Sequence, residues 1–540
     1  MRSGRVHLMR VAVVLVALVA VQLCAADYFV QPAGDDRRSG LSTDAAWVSI
    51  GRVRAHAATP GFKPGDRILF AGGETFTCTA ADCLYIAADA SYGTAAQPIT
   101  IGSYGAGRAI IRALGCSAIS IWGPPSGRAG LGWIIRDLDL VGDNRSSAGT
   151  PTVGIGVWNG NPGVMDVLHI EQVAVSGFAG EGISLGRSQG GSRLTNVAIN
   201  HVVAHGNRGL RGQQRPTGSG IVVGGTQGGL VERCVAYDNG VDNTFSAGPC
   251  GIWCWDSTKV TIQSCEAYAQ KTSGGDGDGF DIDGGCSDCV IQYCYAHDNE
   301  GPGFLFAQFD TAADNGGNVI RYCVSQNDVR KGWWGAITVW GATANPFGFK
   351  NSHIYNNTIY VTPVGPETKR AGKEAVAIRL AERFSGITIR NNLVVLDGAG
   401  LLAIESPVNA LELVHFQDNC WWNPHGAPRF TAGGVTYPDL AAWRATGQER
   451  CGELDAGCAI DPQLEQAGAG ATVGFAQIDA LATRVPQYRL RMTSPVLGRG
   501  LDLGRPPFQL DVGTTDFYGN AVTGNGTCSI GAWSPALPGK

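Results

Sequence analysis

Four carboxylates fall within eight residues in Asp276-Gly277-Asp278-Gly279-Phe280-Asp281-Ile282-Asp283. Like charges this dense need a proton, a cation or substrate hydroxyls between them. Two kinds of chemistry use such a cluster. Glycoside hydrolysis takes one protonated carboxyl and one carboxylate, and Asp278, Asp281 and Asp283 are the candidates. Elimination from a uronic acid takes a base and a cation that neutralises the sugar carboxylate. Lys331 is a candidate base, with Lys271 and Arg379 as alternatives. The next turn, His297-Asp298-Asn299-Glu300-Gly301, is expected one coil above and adds the titrating imidazole of His297. Asp276, Asp278, Asp298 and Glu300 make an oxygen set that suits calcium. The Asp-x-Asp-Gly start is not an EF-hand, since no Glu stands at the twelfth position.

Alternation within the surrounding strands fixes which side chains can join this cluster. Neighbours on a strand point to opposite faces. Phe280 and Ile282 must point inward, so Asp281 and Asp283 point outward into water. By the same rule Trp253 and Trp255 point outward one coil earlier, with Ile252 and Cys254 inside. Trp340 and Arg379 follow on later coils, and Trp158 stands on an early one. Flat indoles flanking carboxylates are what a sugar-binding cleft requires.

These strands belong to a repeat. A Gly followed by alternating apolar residues starts at 220, 251, 279 and 303, at intervals of 31, 28 and 24 residues. A second strand recurs beside it, with Cys234, Cys265, Cys294 and Cys323 at one position and Asn357 and Asn392 continuing the same place. A period of 24–31 residues with short strands and no helical stretch predicts a parallel β-helix. Its coils lie about 4.8 Å apart, so equal positions stack as ladders. The Cys ladder is expected as buried apolar filling.

Several segments carry a resemblance: Tyr28-Phe-Val-Gln-Pro-Ala-Gly-Asp35, Pro64-Gly-Asp-Arg-Ile-Leu-Phe70, Ala96-Gln-Pro-Ile-Thr-Ile101, Asn391-Asn392, Ala441-Ala-Trp443 and Tyr488-Arg-Leu-Arg-Met-Thr-Ser-Pro495. In these the chain resembles secreted right-handed parallel β-helix proteins of the pectate-lyase-like superfamily, which is rich in polysaccharide lyases and glycosidases. The resemblance implies an all-β, right-handed solenoid. A short helix within 44–58 is expected to cap its N-terminal coil, because a bare end exposes unpaired strand edges. The expected divisions are a signal peptide at 1–26, cap and first coils at 27–98, the β-helix at 99–419, and an irregular extension at 420–540 packed on the solenoid, with one short helix near 438–446.

Composition agrees. The 540 residues include 78 Gly, and charged residues are 16%. That excludes a disordered chain, and the lack of a three-residue Gly period excludes collagen. Arg2, Arg5 and Arg10, the apolar run from Val11 to Leu23 and the small residues that follow read as a signal peptide, hence a secreted protein, extracellular or periplasmic. Leu23 before Cys24 is a poor lipobox residue. No other stretch is a membrane span, and no basic stripe suits nucleic acid. Cysteines in close pairs, Cys78/Cys83, Cys286/Cys289 and Cys451/Cys458, are expected to form disulfides in that compartment. Cys286-x-x-Cys289 lacks a second pair at zinc-ligand spacing. The sequence thus points to a protein that cleaves an extracellular polysaccharide, as a hydrolase or a uronate-type lyase. The alternative is a non-catalytic glycan-binding or surface-structural β-helix.

Overall fold

A computed structural model describes residues 25–80, 83–123, 132–146, 149–160, 163–187, 192–369, 372–522 and 528–535. The expected signal peptide therefore falls almost wholly outside the described residues. Strands stack as a parallel solenoid with, among the described residues, one sheet of 13 strands and another of 22. The 13-stranded sheet runs in chain order from Leu84–Ala87 to Val435–Tyr437, and every neighbouring pair is parallel except the closing hairpin with Arg429–Ala432. One residue per coil stands at each register position. Ile155, Ile183, Ile221, Ile252, Phe280 and Phe304 form one inward row, all fully buried. The Phe280 and Phe304 rings stack at 5.3 Å.

Polar ladders run through the interior beside this apolar column. Cys234, Cys265, Cys294 and Cys323 stack inside as expected, each fully buried. The column continues as Asn357, Asn392 and Asn419, where Asn357 Nδ2 donates to Asn392 Oδ1 at 2.9 Å and Asn392 Nδ2 to Asn419 Oδ1 at 3.0 Å. A second ladder contains Asn207, Asn239, Gln270, Asn299 and Asp328. The asparagines donate to the next coil, while Gln270 Nε2 donates to Tyr268 O and Gln270 N to Asn299 Oδ1, so polar groups that would cost free energy alone are satisfied.

Both ends are covered. Ser49 Oγ accepts from Arg52 N at 3.0 Å and starts the helix Ile50–Ala58, which buries Ile50, Val53 and Ala57 under the first coil. At the other end Asp439 caps the short helix Leu440–Arg444. Beyond it the chain lies against the outer face of the 22-stranded sheet, where Tyr488, Val496 and Ile530 pack with Tyr295, Tyr322 and Tyr355. The outer face of the 13-stranded sheet takes no part in that cluster. Among the described residues no helix is long and apolar enough to cross a membrane. The expected disulfides do not form: all fifteen described cysteines are unbridged. Cys286 and Cys289 are turned into the core instead.

Candidate functional site

The register of the 13-stranded sheet writes two outward rows across it. One contains Ser184, Val222, Trp253, Asp281, Leu305, Thr338 and Arg379, each the lateral partner of the next. The other begins with Trp122, Trp158 and Gly186. It resumes with Gly224 beside Trp255 and later with Trp340 beside Ala307 and Ala381. Asp283, two residues after Asp281, stands next to Trp255, its N–H donating to Cys254 O at 2.8 Å. Asp281, Asp283 and the indoles of Trp158, Trp253, Trp255 and Trp340 thus share one face, as alternation requires.

Glycines shape the aromatic row. A Cβ on Gly186 would lie 2.1 Å from the Trp158 ring, and one on Gly224 would lie 2.5 Å from the Trp255 indole. The two indoles therefore lie flat over the glycines of neighbouring coils and lean toward each other. Trp122, 44% exposed, extends the platform, its ring 6.4 Å from that of Trp158. Sequence reading passed over Trp122. Its strand, Ile119-Ser-Ile-Trp122, carries the same alternation as the coil ending in Trp158.

The acidic strand differs from expectation in its exposure. Asp281 points to the outer face yet is only 2% exposed, and Asp278 is fully buried. Trp253 and Leu305 flank Asp281 in register, while a Cβ on Gly301 would come within 2.4 Å of Asp278 Oδ1. Between the two acids lies a residue the sequence did not reveal. Cys250 Sγ is 3.7 Å from Asp278 Oδ2 and 3.9 Å from Asp281 Oδ2. Strict alternation from Trp253 puts Cys250 inside. Gly251 breaks it, because its own Cβ direction runs into Ala267 and Gln270 of the interior. Asp278 Oδ1 and Asp281 Oδ1 have no hydrogen-bond partner, and neither does the neighbouring Trp253 Nε1.

Burial dominates the electrostatics of this cluster. It pushes the Asp278 carboxyl well above its ordinary range, with Asp276 adding repulsion. Burial, then Asp283 and Asp278, do the same to Asp281. Asp283 is half-buried, and burial raises it to about 6. Burial therefore favours the neutral form more strongly at Asp278 and Asp281 than at Asp283. The α-carbons of Asp281 and Asp283, at i and i+2, are about 6.5–7 Å apart.

The remaining candidates are placed around or away from this centre. Lys331 Nζ is 2.6 Å from Glu300 Oε2, and Glu300 Oε2 also accepts from Thr272 N at 2.7 Å. Both lie at the rim of the Asp276 turn, where Gly277 approaches the Glu300 Cβ. Asp276 accepts from Gly248 N. Arg379, 8% exposed, pairs with Glu405 and lies 5.6 Å from the Trp333 ring, whose residue adopts φ +82°. His297 and Asp298 are elsewhere. His297 belongs to the 22-stranded sheet, with Nε2 3.1 Å from Glu266 Oε1 and Nδ1 2.9 Å from Asp298 Oδ2. The four oxygen ligands expected for calcium are thus not gathered at one point. What the structure gathers instead is Cys250, Asp278 and Asp281. A cavity of about 470 Å³ near Trp422, Leu440 and Arg499 lies at the C-terminal end, away from all these groups. Its acid and one of its bases are committed, Asp439 to a helix cap and Arg444 to the Ala456 and Gly457 carbonyls.

Comparison with known proteins bears on the fold. Curated protein sequences give no match. Among solved structures, similar ones include pectate lyase Pel9A (14% identity, covering 95% of this chain and 96% of that one, TM-score 0.45). A lacto-N-biosidase of family GH136 from Eubacterium ramulus is 17% identical, with 66% and 68% covered and a TM-score of 0.43. The A-module of the Azotobacter vinelandii mannuronan C-5 epimerase AlgE6 is 18% identical, with 66% and 91% covered and a TM-score of 0.41. Residues 152–359 match the family described as right handed beta helix region, and with the stacked parallel coils this makes the chain a right-handed parallel β-helix.

Proposed function

We propose that the outer face of the 13-stranded sheet binds an extracellular polysaccharide along the solenoid axis and hydrolyses it at the Asp278–Asp283 strand. The observation that carries this reading is the pair of buried carboxyl oxygens without partners, Asp278 Oδ1 and Asp281 Oδ1, set in register with Trp253 and beside Trp255. Four coil steps separate Trp122 from Trp255, about 19 Å, a span of several sugar rings. Asp281, held protonated by burial, serves as the general acid to the glycosidic oxygen, and ionised Asp283 activates water. Substrate has to pass between Trp253 and Leu305, which flank Asp281 in register, to reach it.

Elimination is the second reading, and the ion pairs weigh against it. Lys331 is held by Glu300 and Arg379 by Glu405, so neither stands ready as a free base. The test is a panel of neutral and uronic polysaccharides, followed by reducing ends and by the ultraviolet absorbance of unsaturated uronates. Reducing ends without that absorbance support hydrolysis. Absorbance abolished by chelation and restored by calcium favours the lyase. Binding without cleavage, unchanged in Asp281→Asn and Asp283→Asn, leaves a glycan-binding protein.

A further inference from the structure

Behind the acidic strand, on the inner side of the same coils, three thiols converge. Cys254 points inward from the strand Cys250–Trp255, and Cys286 and Cys289 turn inward from the loop that follows Asp283. One sulfur from each lies within 4.8 Å of the others, and all three residues are fully buried. Cys254 Sγ and Cys286 Sγ are 3.8 Å apart. That is far from the 2.05 Å of a disulfide. It matches thiolates sharing one cation, since sulfur at about 2.3 Å from a zinc-like centre lies about 3.7–4.0 Å from its neighbours. The backbone at Val260 and Lys259 favours the thiolate of Cys289, and that at Ser257 the thiolate of Cys286. Backbone hydrogen bonds to sulfur orient and stabilise metal-bound thiolates. Cys289 Sγ donates to Ser257 O and to Ser287 O, each at 3.6 Å, and a bound cation would take the place of that thiol proton.

We infer that Cys254, Cys286 and Cys289 form a binding site for one soft, thiophilic cation, zinc(II) or copper(I), built into the core between two successive coils. Binding releases the thiol protons to solvent and leaves one cation against three thiolates, with no change of oxidation state. The linear spacing of Cys286 and Cys289 does not disclose the site, because the third ligand comes from the preceding coil. A fully enclosed position means that the cation enters as the chain folds.

The test uses the full chain, purified under reductant, with metal content measured by elemental mass spectrometry. One equivalent of zinc or copper, retained until the protein is denatured, is expected. Refolding with cobalt(II) should give a thiolate-to-cobalt charge-transfer band, and refolding with copper(I) should retain one equivalent against a competing chelator; the arm that succeeds identifies the cation type. Cys254→Ser, Cys286→Ser and Cys289→Ser should each abolish retention, while Cys451→Ser should not. Should the core variants fail to fold, the wild-type metal content and band decide alone. A folded wild-type protein without stoichiometric metal in any arm, or one carrying a disulfide between two of these residues, overturns the proposal.

Discussion

Asp281 and Asp283 are two residues apart, yet burial raises Asp281 well above the ordinary carboxyl range and Asp283 only to about 6. Asp281→Asn keeps the shape and hydrogen-bonding size of a neutral carboxyl but cannot give up its proton. Turnover on the responsive polysaccharide should fall by about 10²-fold or more, with KM little changed, because a positioned acid supplies about that much. Its melting temperature should hold or rise, since a buried carboxyl that resists ionisation is removed. A fall of several degrees would show that the carboxyl has a structural partner. Asp283 supplies a pH signature. Raised to about 6, it protonates as pH falls through 6, so kcat/KM should drop on the acid side with an apparent pKa near 6. Asp283→Asn should remove activity together with that limb, and a profile flat from pH 5 to 7 would sink its role as base. Much of this was legible in the sequence: alternation alone set Asp281 and Asp283 outward together with the indoles. Burial was not, because it depends on Trp253, Leu305 and Gly301, which belong to other strands and turns. Cys250 was hidden for a local reason, the lost alternation at Gly251.

At the scale of single elements the solenoid separates residues that are close in sequence. His297 follows Asp283 by only fourteen positions, but the chain has turned a corner by then, and His297 lies in the other sheet. There it stacks on Tyr268, which stacks on Tyr237 and then His205, with centroids 4.6–5.0 Å apart. Burial alone lowers a histidine, yet the bonds to Asp298 and Glu266 raise His297 to about 9. Glu266 in turn accepts from Val473 N at 2.7 Å and Gly474 N at 2.6 Å, so this imidazolium helps hold the C-terminal extension against the stack. Glu266→Gln weakens both contacts. Limited proteolysis near 470–475 should then speed up severalfold while the solenoid core stays protected, and unchanged cleavage would show that the tyrosine packing suffices. On the opposite sheet, Gly186→Val should push the Trp158 indole off its neighbouring coil. Polysaccharide affinity should fall without loss of fold, whereas equal affinity would remove Trp158 from the binding surface.

The whole molecule carries its acids in an arrangement that no single strand reveals. Each interior ladder meets a fully buried carboxyl: Asn419 Nδ2 donates to Glu449 Oε1 at 2.8 Å, and Asn299 Nδ2 donates to Asp328 Oδ1 at 2.7 Å. Burial raises both groups to about 7. The repeat predicted the Cys-to-Asn column, because one position recurs on every coil. Its end at Glu449 lies in the irregular extension, where the period is lost, so no spacing could mark it. The consequence is a stability that depends on pH. Unfolded, these carboxyls titrate near 4. Between about pH 4 and 7 the unfolded chain has lost protons that the folded chain keeps, so this contribution is whole below pH 4, shrinks with rising pH, and is gone above 7. Each group contributes a slope of about 1.4 kcal/mol per pH unit inside that window. Asp278, Asp281 and Asp283, raised in the same direction, and His297, whose contribution fades as pH climbs through 9, act with the same sign. Burial lowers His56, His205 and His353, which act with the opposite sign; the five carboxyls and His297 outnumber them, so the protein should melt higher at pH 5 than at pH 8. In the double variant Asp328→Asn, Glu449→Gln, amides replace both acids within the same ladders, and the difference should shrink markedly. A wild-type melting temperature that instead climbs from pH 5 to 8 would mean that these carboxyls are ionised in the folded chain and that the ladders close on charges.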